Sequence, residues 1–254
     1  MPRHTLLRVL CLLLLLAPWG IFAEGAQEIP SEKVIATTAW TGAFALLAGI
    51  DEVEVLAPYE LQHPPEYTLS PGEIAAISNA ELVIFAGYET MLERLRASTG
   101  ADTVLLQIKT VNTPPVIAES VRAIAAAAGD PETAEENITR VQGFYREWRE
   151  EAATLKDRPA VVHFHVRPMA EALGLNVADV FGPAPLEAAQ LKRLSESGAL
   201  LIIDNWHSDI GAPLAELLPE ADRVEWINFP GKDGTRTIED VLKFNREELS
   251  TILP

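Results

Sequence analysis

Reactive sulfur is almost missing from this chain: Cys11 is the only cysteine in 254 residues. It lies inside an apolar stretch near the N-terminus, so a chain processed beyond that stretch has no thiol and no disulfide. Packing alone must hold the core, and thiolate ligation of a metal is excluded. A lipid-bearing cysteine would follow the apolar run; Cys11 begins it and does not read as a lipidation site. Positive charge is also scarce. The chain has 20 Lys and Arg against 37 Asp and Glu, a net charge of −17. Such a surface repels phosphate backbones, so nucleic acid is not an expected partner. Long apolar runs are missing too. The uncharged stretch from Val9 to Ala23 is 15 residues and Pro18 interrupts it, whereas a membrane span needs about 20. There is no low-complexity tract and no short repeat.

What the N-terminus does contain reads as a secretory signal. Arg3 and Arg8 form a positive n-region, Val9 to Ala17 an apolar core, and Ile21-Phe22-Ala23 a cleavage site. The expected signal peptide is residues 1–23, with the mature start near Glu24. Losing Arg3 and Arg8 takes the net charge from −17 to −19. A secreted chain without disulfides suits a bacterial periplasm.

Beyond that point, short β-branched runs alternate with amphipathic stretches. Expected strands are Val34–Thr38, Val53–Leu56, Leu82–Phe85 and Val104–Leu106, then Ala160–His163, Val177–Val180, Leu200–Ile203 and Val224–Ile227. Ser70-Pro71-Gly72-Glu73 starts a helix, with Ser70 as cap, Pro71 in the first turn and Glu73 closing a capping box. Between the two groups of strands come two helices without a strand, Pro114 to Ala128 and about Pro131 to Leu155. Gly129-Asp130 breaks them apart. The second, at about 25 residues, would be ~37 Å long. The pattern predicts an α/β fold: two α/β lobes with mainly parallel sheets, bridged by a long helix, with a ligand cleft between them. The expected boundaries are 24–112 for the first lobe, 113–158 for the helical linker and 159–254 for the second lobe.

Four histidines remain after the signal, and each sits at the end of an expected strand or past one: His63, His163, His165 and His207. Open α/β sheets bind ligands beyond the carboxyl ends of their strands, and imidazole is the commonest side-chain ligand for transition metals. His63 lies in a loop stiffened by Pro64 and Pro65. In His163-Phe164-His165, a strand would point both imidazoles to one face and bury Phe164 behind them. A core histidine beside a solvent histidine is the other reading of that pair. Asp204-Asn205-Trp206-His207-Ser208-Asp209 follows an apolar strand. Asp204 can ligate a metal or orient a ligating imidazole, Ser208 or Asp209 caps the next helix, and Trp206 walls the cleft or joins the core. Three imidazoles and one carboxylate, from Asp204 or Glu66, make a tetrahedral set suited to zinc. Manganese, iron, nickel and copper are alternatives.

At these residues the chain resembles the metal-binding substrate-binding proteins of bacterial ABC importers, the zinc- and manganese-type periplasmic receptors. The likeness runs from about Val34 to Leu253. It is densest over Pro65-Glu66-Tyr67-Thr68-Leu69-Ser70-Pro71-Gly72-Glu73-Ile74 and Ile77-Ser78-Asn79-Ala80-Glu81-Leu82-Val83-Ile84-Phe85-Ala86-Gly87. Gly174-Leu175 stands at the family's distance after His163, and Asn245-Arg246-Glu247-Glu248-Leu249 resembles its last helix. The resemblance implies two lobes joined by a long helix, capture of a metal ion between them and delivery to a membrane permease, without catalysis. The chain departs from the pattern in its ligands. Pro65 stands where the family has its first histidine, with His63 two residues earlier. Gln107 to Val111 holds no counterpart of the second histidine, the histidine-rich loop of many zinc receptors is missing, and the final acidic ligand falls near Asn228. His163 matches the third histidine, with His165 extra. This implies a rebuilt ligand set in which His63 and His207 replace lost positions.

The expectation is a monomeric periplasmic receptor for a divalent transition metal, zinc first, serving an ABC permease and acting as no enzyme. The competing readings are a receptor for a metal chelate or other small solute, a metal-storage or adhesion protein, and a secreted metallohydrolase.

Overall fold

Leu82-Val83-Ile84-Phe85 and the apolar runs like it form the strands of two parallel sheets, and helices fill the intervals between them. The computed structural model describes residues 33–253, so the expected signal segment lies outside the described residues. The first lobe holds β1 (Val34–Ala36), α1 (Ala39–Leu47), β2 (Val53–Val55), α2 (Pro71–Ser78), β3 (Leu82–Phe85), α3 (Leu92–Ser98) and β4 (Val104–Gln107). Two helices follow in succession, α4 (Pro114–Ala128) and α5 (Pro131–Ala152). The second lobe holds β5 (Ala160–His163), α6 (Arg167–Leu173), β6 (Val177–Phe181), α7 (Ala188–Ser195), β7 (Leu201–Asn205), α8 (Ala212–Leu217), β8 (Asp222–Trp226) and α9 (Ile238–Ser250).

The two sheets share one topology. Their orders are β2-β1-β3-β4 and β6-β5-β7-β8, parallel throughout. In each, the order reverses between the two central strands, β1 and β3 or β5 and β7. A crevice opens beyond the carboxyl ends of strands at such a point.

Alternation along the strands gives each sheet two covered faces. Val34, Leu82 and Ile84 face a large core that runs through Phe44, Ile117 and Tyr145 into Leu201, Ile203 and Trp226 of the second lobe. Ile35 and Val83 face the other way, onto Leu56, Ile77 and Leu95. In the second lobe Val161 and Ile202 likewise meet Phe181, Leu194 and Leu214. Ser70 and Glu73 form the expected capping box on α2.

Helix α5 ties the lobes together. Asp130 caps it by accepting the Glu132 and Thr133 N–H groups. It has 22 residues, about 33 Å at 1.5 Å per residue. It stops at Ala152, and a 3-10 turn completes the expected span through Leu155. Near its start, Asn137 Nδ2 donates to the Leu47 carbonyl of the first lobe at 2.8 Å. Near its end, Trp148 packs on Trp226 with ring centroids 5.4 Å apart, and Arg149 donates to the Ala172 carbonyl at 2.7 Å. Among the described residues, no helix is long and apolar enough to cross a membrane.

One local expectation fails. Neither Ser208 nor Asp209 caps α8, which begins at Ala212 behind Gly211 with no side-chain cap. Asp209 instead accepts from Arg223 at 2.6 Å. An ion pair with a strand neighbour takes the carboxylate that sequence proximity assigns to the helix.

Candidate functional site

A cavity of about 1010 Å³ lies at the carboxyl ends of the strands. Segments following every strand but β6 contribute to its wall. Thr38 and Trp40 follow β1, His63 follows β2, Tyr88 follows β3 and Lys109 follows β4. From the second lobe come Phe164 and His165 after β5, His207 after β7, and Asn228 and Phe229 after β8.

Asn112, between β4 and α4, fastens the lobes beside this cavity. Its Nδ2 donates to the Asn228 carbonyl at 2.8 Å, and its Oδ1 accepts the Trp40 indole N–H at 2.8 Å. The Tyr145 hydroxyl of α5 donates to the Asn112 carbonyl. Trp40 also packs on Phe229 across the lobes, with centroids 5.7 Å apart.

Three of the four expected histidines line the cavity: His63, His165 and His207. His207 is 3% exposed, and neither of its ring nitrogens has a well-formed hydrogen bond; the Asn228 side-chain oxygen, itself unpartnered, is close enough to interact with it. Its ring lies on Phe229 with centroids 3.4 Å apart. Burial pushes its imidazolium down to about 3. The nearby Asn228 side chain opposes this, while positive charge on His165, His63 or Lys232 adds to it. An imidazole kept neutral, buried and unpartnered is poised to ligate, because only the deprotonated ring offers a lone pair.

His163 takes a different role. Strand β5 ends at His163 and the chain turns, so His165 does not follow it along a strand. The His165 N–H donates to His163 Nδ1 at 3.2 Å. His163 Nε2 faces Gly182, where a Cβ would lie 2.6 Å away. The ring is fully buried, is absent from the cavity wall, and is pushed down to about 4, by burial first and by His165 second. The two rings stay adjacent, with centroids 5.3 Å apart. The turn also reverses the expectation for Phe164, which is 50% exposed and lines the cavity.

The two expected carboxylates do not reach the cavity wall. Asp204 is fully buried and accepts from the Asn205 and Gly211 N–H groups, each at 2.9 Å, and from Arg223 at 2.7 Å. Burial lifts its carboxyl above the ordinary range, and Arg223 offsets part of that lift. Glu66 sits exposed in the 3-10 turn Pro64–Glu66. Trp206 is half-buried outside the cavity wall, edge-on to His207, with the Lys232 ammonium 5.6 Å from its ring centroid. Among the described residues, no three His, Cys, Asp or Glu side chains stand close enough to hold one ion.

Sequence reasoning missed Trp40, Tyr88, Phe229 and Asn112. The first three also follow strands, so the positional rule applied to the histidines would have found them. Asn112 carried no such signal, since its partners are 72 and 116 residues away.

The fold has solved counterparts. The laminin-binding protein of Streptococcus pyogenes is 16% identical with a TM-score of 0.67, covering 87% of this chain and 98% of that one. The metal-dependent lipoprotein YcdH from Bacillus subtilis is 19% identical with a TM-score of 0.66, over 87% and 98%. A Mn-bound periplasmic metal-binding protein from candidatus Liberibacter asiaticus is 14% identical with a TM-score of 0.62, again over 87% and 98%. The chain shares their fold. No protein-family model matches the sequence, and no curated relative does.

Proposed function

We propose that this protein is a periplasmic substrate-binding protein that captures a divalent transition metal between its lobes and hands it to the permease of an ABC importer. The observation that carries the reading is His207: a buried imidazole with both nitrogens unpartnered, in a cleft that His63 and His165 also line. An unsatisfied buried polar group costs about 1–3 kcal/mol, and a bound metal offsets that cost. The shared fold supports the reading, since two of the three solved counterparts above are described as metal-dependent or metal-binding proteins.

His63, His165 and His207 are the proposed ligands; they do not yet stand close enough to share an ion, so binding must draw them together. His165 is preferred to His163, which is absent from the cavity wall and whose Nδ1 accepts a backbone N–H, though its Nε2 is unpartnered. Neutral imidazoles favour zinc, nickel or copper over manganese, and zinc is the first choice. The protein acts by binding and release, with no chemical step.

Elemental analysis of the mature protein, purified without tags or chelators, tests this. One equivalent of one metal is expected, lost in the His63→Ala and His207→Ala variants. A protein that stays metal-free after reconstitution with zinc, manganese, nickel and copper would sink the reading.

A further inference from the structure

The cleft is far larger than a bare ion requires, and its wall offers no free anion. One water occupies ~30 Å³ of liquid, whereas about 1010 Å³ stands at the upper end of pockets for small organic ligands, ~300–1,000 Å³. The volume does not come from separated lobes. Asn112 already bonds to Asn228 across them, and the Arg236 guanidinium lies 3.9 Å from the Tyr59 ring centroid.

The charges match that excess space. The two carboxylates that line the cavity are held by cations: Glu119 accepts from Lys109 at 2.9 Å and Glu171 from Arg167 at 2.7 Å. The remaining donors toward a metal are imidazoles and the uncharged oxygens of side chains such as Gln62 and Asn228. A divalent ion held by imidazoles alone keeps its full charge in a partly desolvated cleft, which is unfavourable without an anionic partner. The wall also presents two exposed aromatic surfaces that an ion would not use, Tyr88 at 49% and Phe164 at 50%, one from each lobe.

We propose that the cargo is a metal complex of a small carboxylate-bearing chelator, an amino acid or hydroxy acid, with the imidazoles completing the coordination. The chelator supplies the anionic oxygens the wall lacks, and its organic part lies between Tyr88 and Phe164. An outer carboxylate can exchange with Glu119 or Glu171 for Lys109 or Arg167. This inference rests on the metal-receptor reading above and names the form in which the metal arrives.

Native mass spectrometry of the mature protein separates the two. The protein is mixed with zinc alone, with zinc and one equivalent of L-histidine or citrate, and with each chelator alone; the series is repeated with nickel and copper. The expected result is a species carrying one metal and one chelator together, with metal affinity at least tenfold higher than for the metal alone. A protein carrying only metal in every mixture overturns the chelate proposal and leaves the metal-receptor reading standing. Chelator retained equally with and without metal overturns the proposal as well. Neither metal nor complex bound in any mixture removes both.

Discussion

The Arg236 guanidinium lies over the Tyr59 ring, 3.9 Å from its centroid, and so joins the loop after β2 to the loop after β8. The same two loops meet again where Gly231 approaches the Tyr59 carbonyl so closely that a Cβ would sit 2.1 Å from the oxygen. Tyr59 is four residues from His63. The clasp therefore fixes a first-lobe histidine relative to second-lobe His207, which neither sheet does alone.

Gly231→Ala opens that clasp. Gly231 has a φ of +140°, a backbone conformation that L side chains rarely adopt, and its new methyl would meet backbone. Strain of this kind costs about 1–3 kcal/mol, so the melting temperature should fall by roughly 2–12 °C, at about 2–4 °C per kcal/mol for this size. Metal affinity should drop about tenfold as His63 moves away. Calorimetry and a zinc titration check both. Unchanged affinity in a destabilised variant would show that the clasp does not position the site.

The unpartnered ring of His207 predicts a conflict between stability and function. Removing a buried polar group that makes no hydrogen bond is neutral or stabilising when an apolar side chain of similar shape replaces it. His207→Leu should keep or raise the melting temperature of the metal-free protein while weakening metal binding at least 100-fold. Thermal melts with and without zinc read both at once. A large loss of stability in the metal-free variant would make His207 a structural residue.

Most of the architecture was legible because each signal was local. The apolar runs gave the strands, Ser70 with Glu73 marked α2, and Gly129-Asp130 placed the break before α5. Positions after strands led to the cleft, and three of four histidines line it. One failure was long-range. Asp204 looked free because Arg223, 19 residues on, is invisible as its partner until β7 and β8 pair. The other was local: His163 and Phe164 were misplaced because the period-two argument was carried past the end of β5.

Acid should destabilise the metal-free protein. Burial holds His163 down to about 4 and His207 down to about 3, against an ordinary value of 6.5. The unfolded chain therefore binds protons below pH 6.5 that the folded chain does not bind until pH approaches 4 and then 3. Stability is full above 6.5 and declines as pH falls through that window. Each group contributes about 1.4 kcal/mol per pH unit once well below 6.5, or about 2 kcal/mol by pH 5. Urea denaturation at pH 7.5 and pH 5 should show the loss, and His207→Leu should remove its own share, about 2 kcal/mol. A pH-independent midpoint would mean that the rings are not buried neutral.

Asp204 and Glu66 give the sharpest contrast between the ligand set read from sequence and the one the fold permits. Asp204 is enclosed by two backbone N–H donors and Arg223, away from the cavity wall. Asp204→Asn replaces an acceptor-only group with an amide whose N–H₂ must face one of those donors. It also leaves Arg223, 31% exposed, with Asp209 alone. Breaking a buried pair costs about 3–5 kcal/mol; solvent at Arg223 places the loss near the lower end, about 3 kcal/mol. Glu66 is exposed on its turn, and Glu66→Gln should change stability by less than about 0.5 kcal/mol. Neither variant should alter the number of metal ions bound at neutral pH under conditions where it is folded. Denaturation curves and metal stoichiometry, measured on the same samples, decide the matter. An Asp204→Asn protein of normal stability that binds no metal would return Asp204 to the ligand set.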